Sequence, residues 1–150
     1  MNQAIDFLLN MRRIIKLQES MLKEICQKYS LTLTEATVVN FLHNNPGKDT
    51  AADIVDLRML QKGNVSQAVD SLVKKGLLQR KQDEEDRRRI HLFLTEDTKE
   101  MIESLDDLWR QFETEMMTGI TEEERQIFHR VNGKMKENMQ EMARRKQIEG

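Results

Sequence analysis

Short polar side chains between residues 62 and 74 have the chemistry needed to hydrogen-bond the edges of nucleic-acid bases. Asn64 and Gln67 carry amides that can donate and accept at once, which suits adenine, and Asp70 can accept from cytosine. Ser66 adds a hydroxyl at the edge of the same group. An ordinary surface helix would more often carry long Glu and Lys side chains here. The pattern therefore favours a base-reading face over a merely solvated one.

An apolar stripe at helical spacing indicates the element that must present these residues. Val65, Val69 and Leu72 lie at i, i+4 and i+7, so they share one side of a helix. Gly76 is the residue type that ends a helix, and Lys74 suits its negative C-terminal end. We therefore predict a short helix with a buried apolar side and an exposed polar side.

Two strand-like runs, 77–81 and 90–94, follow this helix and enclose a tip dense in charge. Asp86 can accept hydrogen bonds from the turn or from a nearby guanidinium and hold it rigid. An arginine held in this way loses less entropy on entering a narrow, A·T-rich minor groove. The pattern predicts a hairpin whose tip contacts DNA through Asp86, Arg87 and Arg88. At the helix, Lys62 and Lys74 complete the predicted contact set.

The hairpin tip resembles the wing of the MarR family of bacterial transcription regulators. The family pattern is an acidic turn of the type D-x-x-D-R-R followed by a strand and L-T. It stands here as Asp83-Glu84-Glu85-Asp86-Arg87-Arg88 and then Leu92-Phe93-Leu94-Thr95. Residues 65–78 look like the family's recognition helix and first wing strand, and the resemblance covers nearly the whole chain. It implies that Asp86 orients Arg88 and that Arg88 enters the minor groove.

The resemblance implies a mainly α fold with a small β-hairpin wing, namely a winged helix-turn-helix with long N- and C-terminal dimerisation helices. We expect a single MarR-type domain over 1–150. Residues 1–30 and 95–150 would form the dimerisation helices, and 31–94 the winged helix-turn-helix DNA-binding lobe. The terminal helices carry more apolar residues than so small a lobe needs to bury. This surplus favours a homodimer, with a larger monomeric core as the alternative.

Capping signals predict where several helices begin. Thr32 with Glu35, and Thr121 with Glu124, have the spacing of capping boxes. Thr95 is expected to cap a further helix of about 23 residues.

Charge is unevenly divided along the chain. The 150 residues include 24 Lys or Arg and 26 Asp or Glu, so the formal net charge is −2. Residues 48–94 carry a net charge of +2, residues 95–150 carry −5 and residues 1–47 carry +1. We expect the acidic C-terminal part to face away from phosphate, and non-specific DNA affinity to be modest and salt-sensitive.

Composition also bears on compartment. No run of about 18 apolar residues occurs, so no membrane span is expected. Asp6 and Arg12 interrupt the apolar N-terminal stretch, which argues against a signal peptide. The single Cys26 excludes an internal disulfide framework and fits a reducing compartment. The sequence therefore predicts a cytoplasmic protein.

No residue pattern points to catalysis, a cofactor or a metal. His43, His91 and His129 lie on different elements without a nearby nucleophile or ligand spacing, so each is interpreted as structural. Cys26 is interpreted as an inert, partly buried thiol, since peroxide-sensing relatives carry theirs near the start of the first helix. A zinc site built from Glu24, Cys26 and His43 is an alternative, but it lacks a paired histidine motif.

Together these features predict a homodimeric transcription regulator that binds double-stranded DNA at a near-palindromic operator. Repression relieved by a small-molecule effector is the expected mode, and activation is possible on the same fold. The ten methionines could line an adaptable effector cavity or simply fill the core. The rival function is a winged-helix protein-interaction module without DNA binding. A metal- or redox-sensing enzyme is a more distant alternative. Arg88 behind Asp86 favours DNA, because an adaptor has no need for that pair.

Overall fold

The computed structural model describes residues 2–147, which form six α-helices and one two-stranded hairpin. The elements are α1 (Gln3–Tyr29), α2 (Leu33–Asn44), α3 (Ala51–Arg58), α4 (Lys62–Lys74), β1 (Leu78–Gln82), β2 (Ile90–Leu94), α5 (Lys99–Met116) and α6 (Glu122–Arg145). The expected mainly α fold with a hairpin wing is confirmed. Residue 1 and residues 148–150 of the predicted domain lie outside the described part of the chain.

Threonine side chains begin α3 and α6 through capping boxes. The Thr121 hydroxyl accepts from the N–H of Glu124 at 3.1 Å, and the Glu124 carboxylate accepts from the N–H of Thr121 at 2.9 Å. The box predicted for α6 is therefore confirmed. Thr50 and Asp53 make the same reciprocal pair at α3. Each box satisfies two N–H groups that a helix terminus leaves without partners.

The box predicted at the start of α2 is only half formed. Thr32 caps the helix by accepting from the N–H of Glu35 at 3.1 Å. The Glu35 carboxylate bonds the Thr32 hydroxyl at 3.2 Å and the ammonium of Lys75 at 2.6 Å, rather than the Thr32 backbone. Glu35 is buried because it serves a tertiary contact, which local spacing does not reveal.

Thr95 is the residue at which the helical segment of residues 96–116 begins, as predicted, but the prediction that its side chain caps that segment is wrong. The Thr95 hydroxyl donates to the carbonyl of Gly76 at 2.6 Å, across the base of the hairpin. A 3-10 turn, Glu96–Thr98, follows, and α5 begins only at Lys99 and has 18 residues. The side chain that would have capped the helix instead closes the hairpin.

The helix α4 buries its predicted stripe and ends at its predicted glycine. Val65 and Leu72 are fully buried. Beyond the helix, the N–H of Gly76 donates to the carbonyl of Val73 and the N–H of Leu77 donates to that of Leu72, both at 3.0 Å. This is a Schellman motif, and it needs a left-handed residue at its turn. Gly76 has a φ of +76°, which glycine adopts without a steric penalty.

The hairpin pairs β1 with β2 in antiparallel register, with Leu78 opposite Leu94. β1 runs one residue later than the predicted 77–81. Leu78 and Leu92 are buried, whereas Ile90, on the same face as Leu92, is exposed. The N–H of Leu92 donates to the carbonyl of Asp49 at 2.8 Å, so the hairpin is docked on the loop between α2 and α3.

A single hydrophobic core packs the helices α1, α2, α3, α4 and α5 against the hairpin. Its buried members are Leu22, Ile25, Leu31, Ala36, Val38, Val39, Phe41, Ile54, Val65, Ala68, Val69, Leu72, Leu78, Leu92, Met101 and Leu105. Most of them lie between residues 22 and 92, so the core sits under α4 and the hairpin. The helix α6 adds no buried residue to it within the described chain.

The terminal helices leave large apolar side chains uncovered. Ile5 and Leu8 on α1, and Phe128 and Met139 on α6, are each more than half exposed. Exposed apolar surface of this extent along long helices is unfavourable in water and marks surfaces that bind a partner.

Candidate nucleic-acid interface

The helix α4 presents its predicted contact residues to solvent. The exposed set comprises Lys62, Asn64, Ser66, Gln67, Asp70 and Lys74. The Asn64 amide donates a long hydrogen bond, of 3.5 Å, to Oε1 of the neighbouring Gln61. No side chain caps the start of α4, so the N–H groups of its first turn are not occupied in this way. Such a terminus attracts anions, including phosphate.

Asp70 is paired within the protein, which the sequence did not indicate. Its Oδ1 accepts a hydrogen bond from the guanidinium of Arg80 on β1. Both side chains are about half exposed. The pair neutralises the only acidic residue of α4 and ties the polar face of that helix to the hairpin. Arg80 was missed, because nothing local to a strand reveals the helix face beside it.

Acidic side chains at the wing tip organise its backbone. The Asp83 carboxylate accepts from the N–H of Glu85 at 2.8 Å and from that of Asp86 at 3.0 Å. The N–H of Asp83 donates to the carbonyl of Arg89 at 2.9 Å, and the N–H of Arg89 donates to that of Asp86 at 3.0 Å. The tip is therefore a closed, hydrogen-bonded turn rather than a loose charged loop.

Asp86 and Arg88 lie in contact at the end of the hairpin. Asp86 Oδ1 accepts from the N–H of Arg88 at 3.0 Å and lies 3.7 Å from Arg88 Nε. The Arg88 side chain is 96% exposed. Arg87 is also exposed, and its carbonyl accepts from the Gln82 amide at 2.8 Å. The geometry fits an orienting role for Asp86, while entry of Arg88 into a minor groove stays a prediction.

Behind the wing tip, His91 bridges two carboxylates. Its Nδ1 lies 2.7 Å from Asp49 Oδ1, and its Nε2 lies 2.7 Å from Asp83 Oδ2. The hydrogen bonds to Asp49 and then to Asp83 raise the pKa of His91. The bond from His91, followed by those from the N–H groups of Asp86 and Glu85, holds the pKa of Asp83 well below its usual range. His91 was interpreted as structural, but no sequence signal pointed to Asp49.

The remaining candidates for chemistry are engaged elsewhere. His43 Nε2 lies 2.8 Å from Asp106 Oδ1 and so links α2 to α5. Cys26 packs against the core, and burial raises the pKa of its thiol. Within residues 2–147, no group of three or more His, Cys, Asp or Glu side chains is placed to hold a metal ion. The zinc alternative that joined Glu24 to Cys26 and His43 therefore has no geometric support.

Between α1 and α5 lies a mostly apolar cavity of about 470 Å³. Phe112 lines it with Met21 and Met116, which are two of the ten methionines. Glu24 and Glu115 are the charged residues of its wall.

No helix in the described chain combines the length and apolar character required to span a bilayer.

The helix pair α3–α4, with α4 exposed and followed by a docked hairpin, defines a winged helix-turn-helix protein. Residues 29–89 match the model of the MarR family. The uncharacterised HTH-type transcriptional regulator YwaE of Bacillus subtilis is 26% identical over 138 residues, covering 91% of this chain and 80% of YwaE. Over residues 29–89 the chain is similar to the MarR family of transcriptional regulators, and the fold around this segment is a winged helix-turn-helix.

Many solved structures share this fold, and two of them bear on function. A MarR-family regulator from Listeria monocytogenes, complexed with a 26mer DNA, is 20% identical with a TM-score of 0.75 and covers 95% of this chain and 96% of its own. BpsR of Bordetella bronchiseptica, whose DNA binding is regulated by 6-hydroxynicotinic acid, is 21% identical with a TM-score of 0.60. That match covers 84% of this chain and 89% of BpsR.

Proposed function

We propose that this transcriptional regulator binds double-stranded DNA sequence-specifically and acts as a homodimeric repressor in the cytoplasm. The observation that carries the proposal is the pairing of an exposed polar helix, α4, with an ordered wing tip in one lobe. A major groove admits an α-helix, and a narrow minor groove attracts an arginine. The Listeria relative, solved with DNA, supports the same use of this fold.

The contact residues divide into two groups. The base-reading residues of α4 are Asn64, Ser66 and Gln67. Asp70 also reads a base when its carboxylate accepts a hydrogen bond from that base in addition to the one from Arg80. Charged residues at the ends of α4 and at the wing contact the DNA backbone and orient the lobe on the DNA. These residues are Lys62, Lys74, Asp86, Arg87 and Arg88. Phosphate contacts set position and affinity, whereas base contacts set sequence preference.

The uncovered faces of α1 and α6 support a dimer built from residues 1–30 and 95–150, with the DNA-binding lobe at 31–94. Phe128 and Leu8 are among the large side chains that a second copy would cover. A twofold pair of lobes would read half-sites about one helical turn, 34–36 Å, apart, which requires a near-palindromic operator.

A small molecule binding the cavity between α1 and α5 would release the repressor by favouring a spacing of the two lobes that DNA does not accept. BpsR, which responds to a small molecule, supports such a mode. Here Glu24 and Glu115 are the charged residues of the wall, beside Phe112. The cavity therefore suits a lipophilic cation better than an anion.

The experiment that tests the function is sequencing of genomic fragments retained by the purified protein, followed by titration of the recovered site at fixed salt. Gln67→Ala supplies the specificity arm. It should lose preference for the recovered site over a scrambled duplex while keeping salt-dependent non-specific binding. Lys136→Ala, on α6, is the matched control and should behave as the parent.

Retention of no defined fragment would contradict DNA recognition. It would favour the rival function, a winged-helix module that binds another protein. Binding downstream of a promoter core with increased transcription of the neighbouring gene would contradict repression and favour activation.

A further inference from the structure

His91 connects the wing tip to the body of the lobe through both of its ring nitrogens. Nδ1 meets Asp49 and Nε2 meets Asp83, each at 2.7 Å. All three side chains are largely sheltered, with 22% of His91, 27% of Asp49 and 24% of Asp83 exposed. Partial shelter from water strengthens such contacts relative to a fully exposed pair.

The two contacts together specify the charge of the ring. A neutral imidazole has one N–H donor and one acceptor nitrogen, whereas an ionised carboxylate can only accept. Asp49 and Asp83 are therefore both satisfied only when His91 is an imidazolium with two N–H groups. Loss of one proton leaves a bare nitrogen facing a carboxylate, which is repulsive.

The two carboxylates belong to parts of the molecule that must be aligned for DNA binding. Asp49 lies in the loop between α2 and α3, and its carbonyl also accepts from Leu92 on β2. Asp83 accepts from the N–H groups of Glu85 and Asp86, which form the turn before Arg88. The bridge therefore runs from the lobe, through the second wing strand, to the turn that carries the tip arginine.

We propose that Asp49, His91 and Asp83 form an ionised strap that fixes the wing on the lobe, so that operator affinity falls when His91 loses its proton. The proposal rests on the DNA-binding function proposed above. His91 acts as a positioning residue, since it works through Asp83 and the tip turn rather than by touching DNA.

Taken together, the other charged groups around the ring favour the same ionised state. Lys81 lies opposite His91 in the hairpin register, and its positive charge disfavours protonation of the His91 ring. Glu84 and Glu85 line the same recess with Asp49 and Asp83, so acids outnumber bases there. The folded-state pKa of His91 is raised, so the strap is complete below about pH 6.5, the unfolded value. It is lost as the pH rises through the folded-state pKa, while Asp83 stays ionised throughout.

The first arm of the test needs no DNA. Nitrogen-15 NMR of the parent protein follows the ring nitrogens of His91 during a pH titration. We expect His91 to lose its proton at a higher pH in the folded protein than in the urea-unfolded protein, and the amide signals of Glu85 and Asp86 in the folded protein to shift with the His91 midpoint. Equal His91 midpoints in the two states, with unmoved tip amides, would overturn the strap.

The second arm measures operator affinity against pH at constant ionic strength for the parent and for His91→Gln. The operator affinity of the parent should fall about tenfold as His91 loses its proton. A loss of this size is at the lower end of what the removal of one specific contact costs. His91→Gln, which keeps a polar group of similar length, should bind about tenfold more weakly at low pH with a flat profile.

The outcomes separate the strap from the function it serves. A parent profile that stays flat while NMR shows the strap opening would overturn the positioning role, and so would a His91→Gln profile equal to that of the parent. A parent that binds no genomic fragment contradicts the proposed function itself. The NMR arm then still decides whether the strap exists.

Discussion

The carboxylate of Asp70 on α4, the proposed recognition helix, accepts a hydrogen bond from the guanidinium of Arg80 on the first wing strand, β1. The two residues are ten positions apart in the chain and belong to the two elements that would contact DNA. The pair neutralises a negative charge on the helix face that we propose approaches the phosphates of DNA. It also fixes the strand beside the helix.

Breaking this pair should affect DNA binding more than folding. Arg80→Gln leaves Asp70 as an unneutralised acid near the DNA backbone, so we expect operator affinity to fall by about 1–2 kcal/mol. Stability should change by less than about 1 kcal/mol, because both side chains are half exposed. Fluorescence anisotropy with labelled operator at fixed salt measures the first quantity, and urea unfolding measures the second.

A double-mutant cycle isolates the coupling between the two residues. In the Arg80→Gln background, Asp70→Asn should recover part of the lost affinity, since the uncompensated charge is gone. Strictly additive effects of the two substitutions would show that Arg80 acts on DNA independently of Asp70.

The wing tip makes a second prediction. Arg88→Ala should weaken operator binding by about 1–3 kcal/mol, with a larger loss on sites flanked by A·T base pairs, where the minor groove is narrow. Folding should be unchanged, because the Arg88 side chain is 96% exposed. Arg110→Ala, at an exposed ion pair on α5, is the control for lost positive charge. Equal affinities for Arg88→Ala and the parent in a salt-matched titration would remove the wing from the interface.

A third prediction concerns the ion pair between Lys75 and Glu35, which joins the end of α4 to the start of α2. Lys75 Nζ lies 2.6 Å from Glu35 Oε2 and 3.1 Å from the carbonyl of Ser30. Lys75→Met would leave a carboxylate that is only 5% exposed without its cation. We expect the free energy of unfolding to fall by about 1–3 kcal/mol in urea titrations at one protein concentration.

Lys74→Met provides the matched control for that substitution, since Lys74 is exposed and lacks a salt bridge within residues 2–147. Adding Glu35→Gln to Lys75→Met should restore part of the stability, because the buried charge is removed with its partner. No recovery in the double variant would mean that Lys75 stabilises the fold through Ser30 alone.

A fourth prediction addresses assembly. Phe128→Glu places a charge on the uncovered apolar face of α6, so it should lower dimer content and operator affinity together. Sedimentation velocity at micromolar concentration should show a dimer for the parent and more monomer for the variant. Gln126→Glu adds the same charge to the polar side of α6 and should leave the dimer intact.

Leu105 would be an unsuitable probe of that interface. It is buried in the lobe core, so a charge there would test folding rather than association.

A parent that sediments as a monomer and still binds a palindromic site at full affinity would contradict the dimer.

Local sequence features determined the elements and several of their ends. The stripe through Val65 and Leu72 predicted α4, Gly76 predicted its end, and the spacing of Thr121 and Glu124 predicted the start of α6. Each of these signals depends on residues within about four positions of one another, which is the range over which a helix turn correlates side chains. The acidic tip before the arginines was similarly readable, because its turn bonds are made between neighbours.

Only the tertiary structure decided what the polar side chains bond. Thr95 closes the hairpin instead of capping α5, and Glu35 turns to Lys75 instead of completing its capping box. His91 meets Asp49, 42 residues earlier in the chain, because Leu92 docks the hairpin on that loop. Such partners are set by how separate elements pack together. A polar side chain with several suitable acceptors takes the one that packing brings within hydrogen-bond distance, and local spacing does not encode that choice.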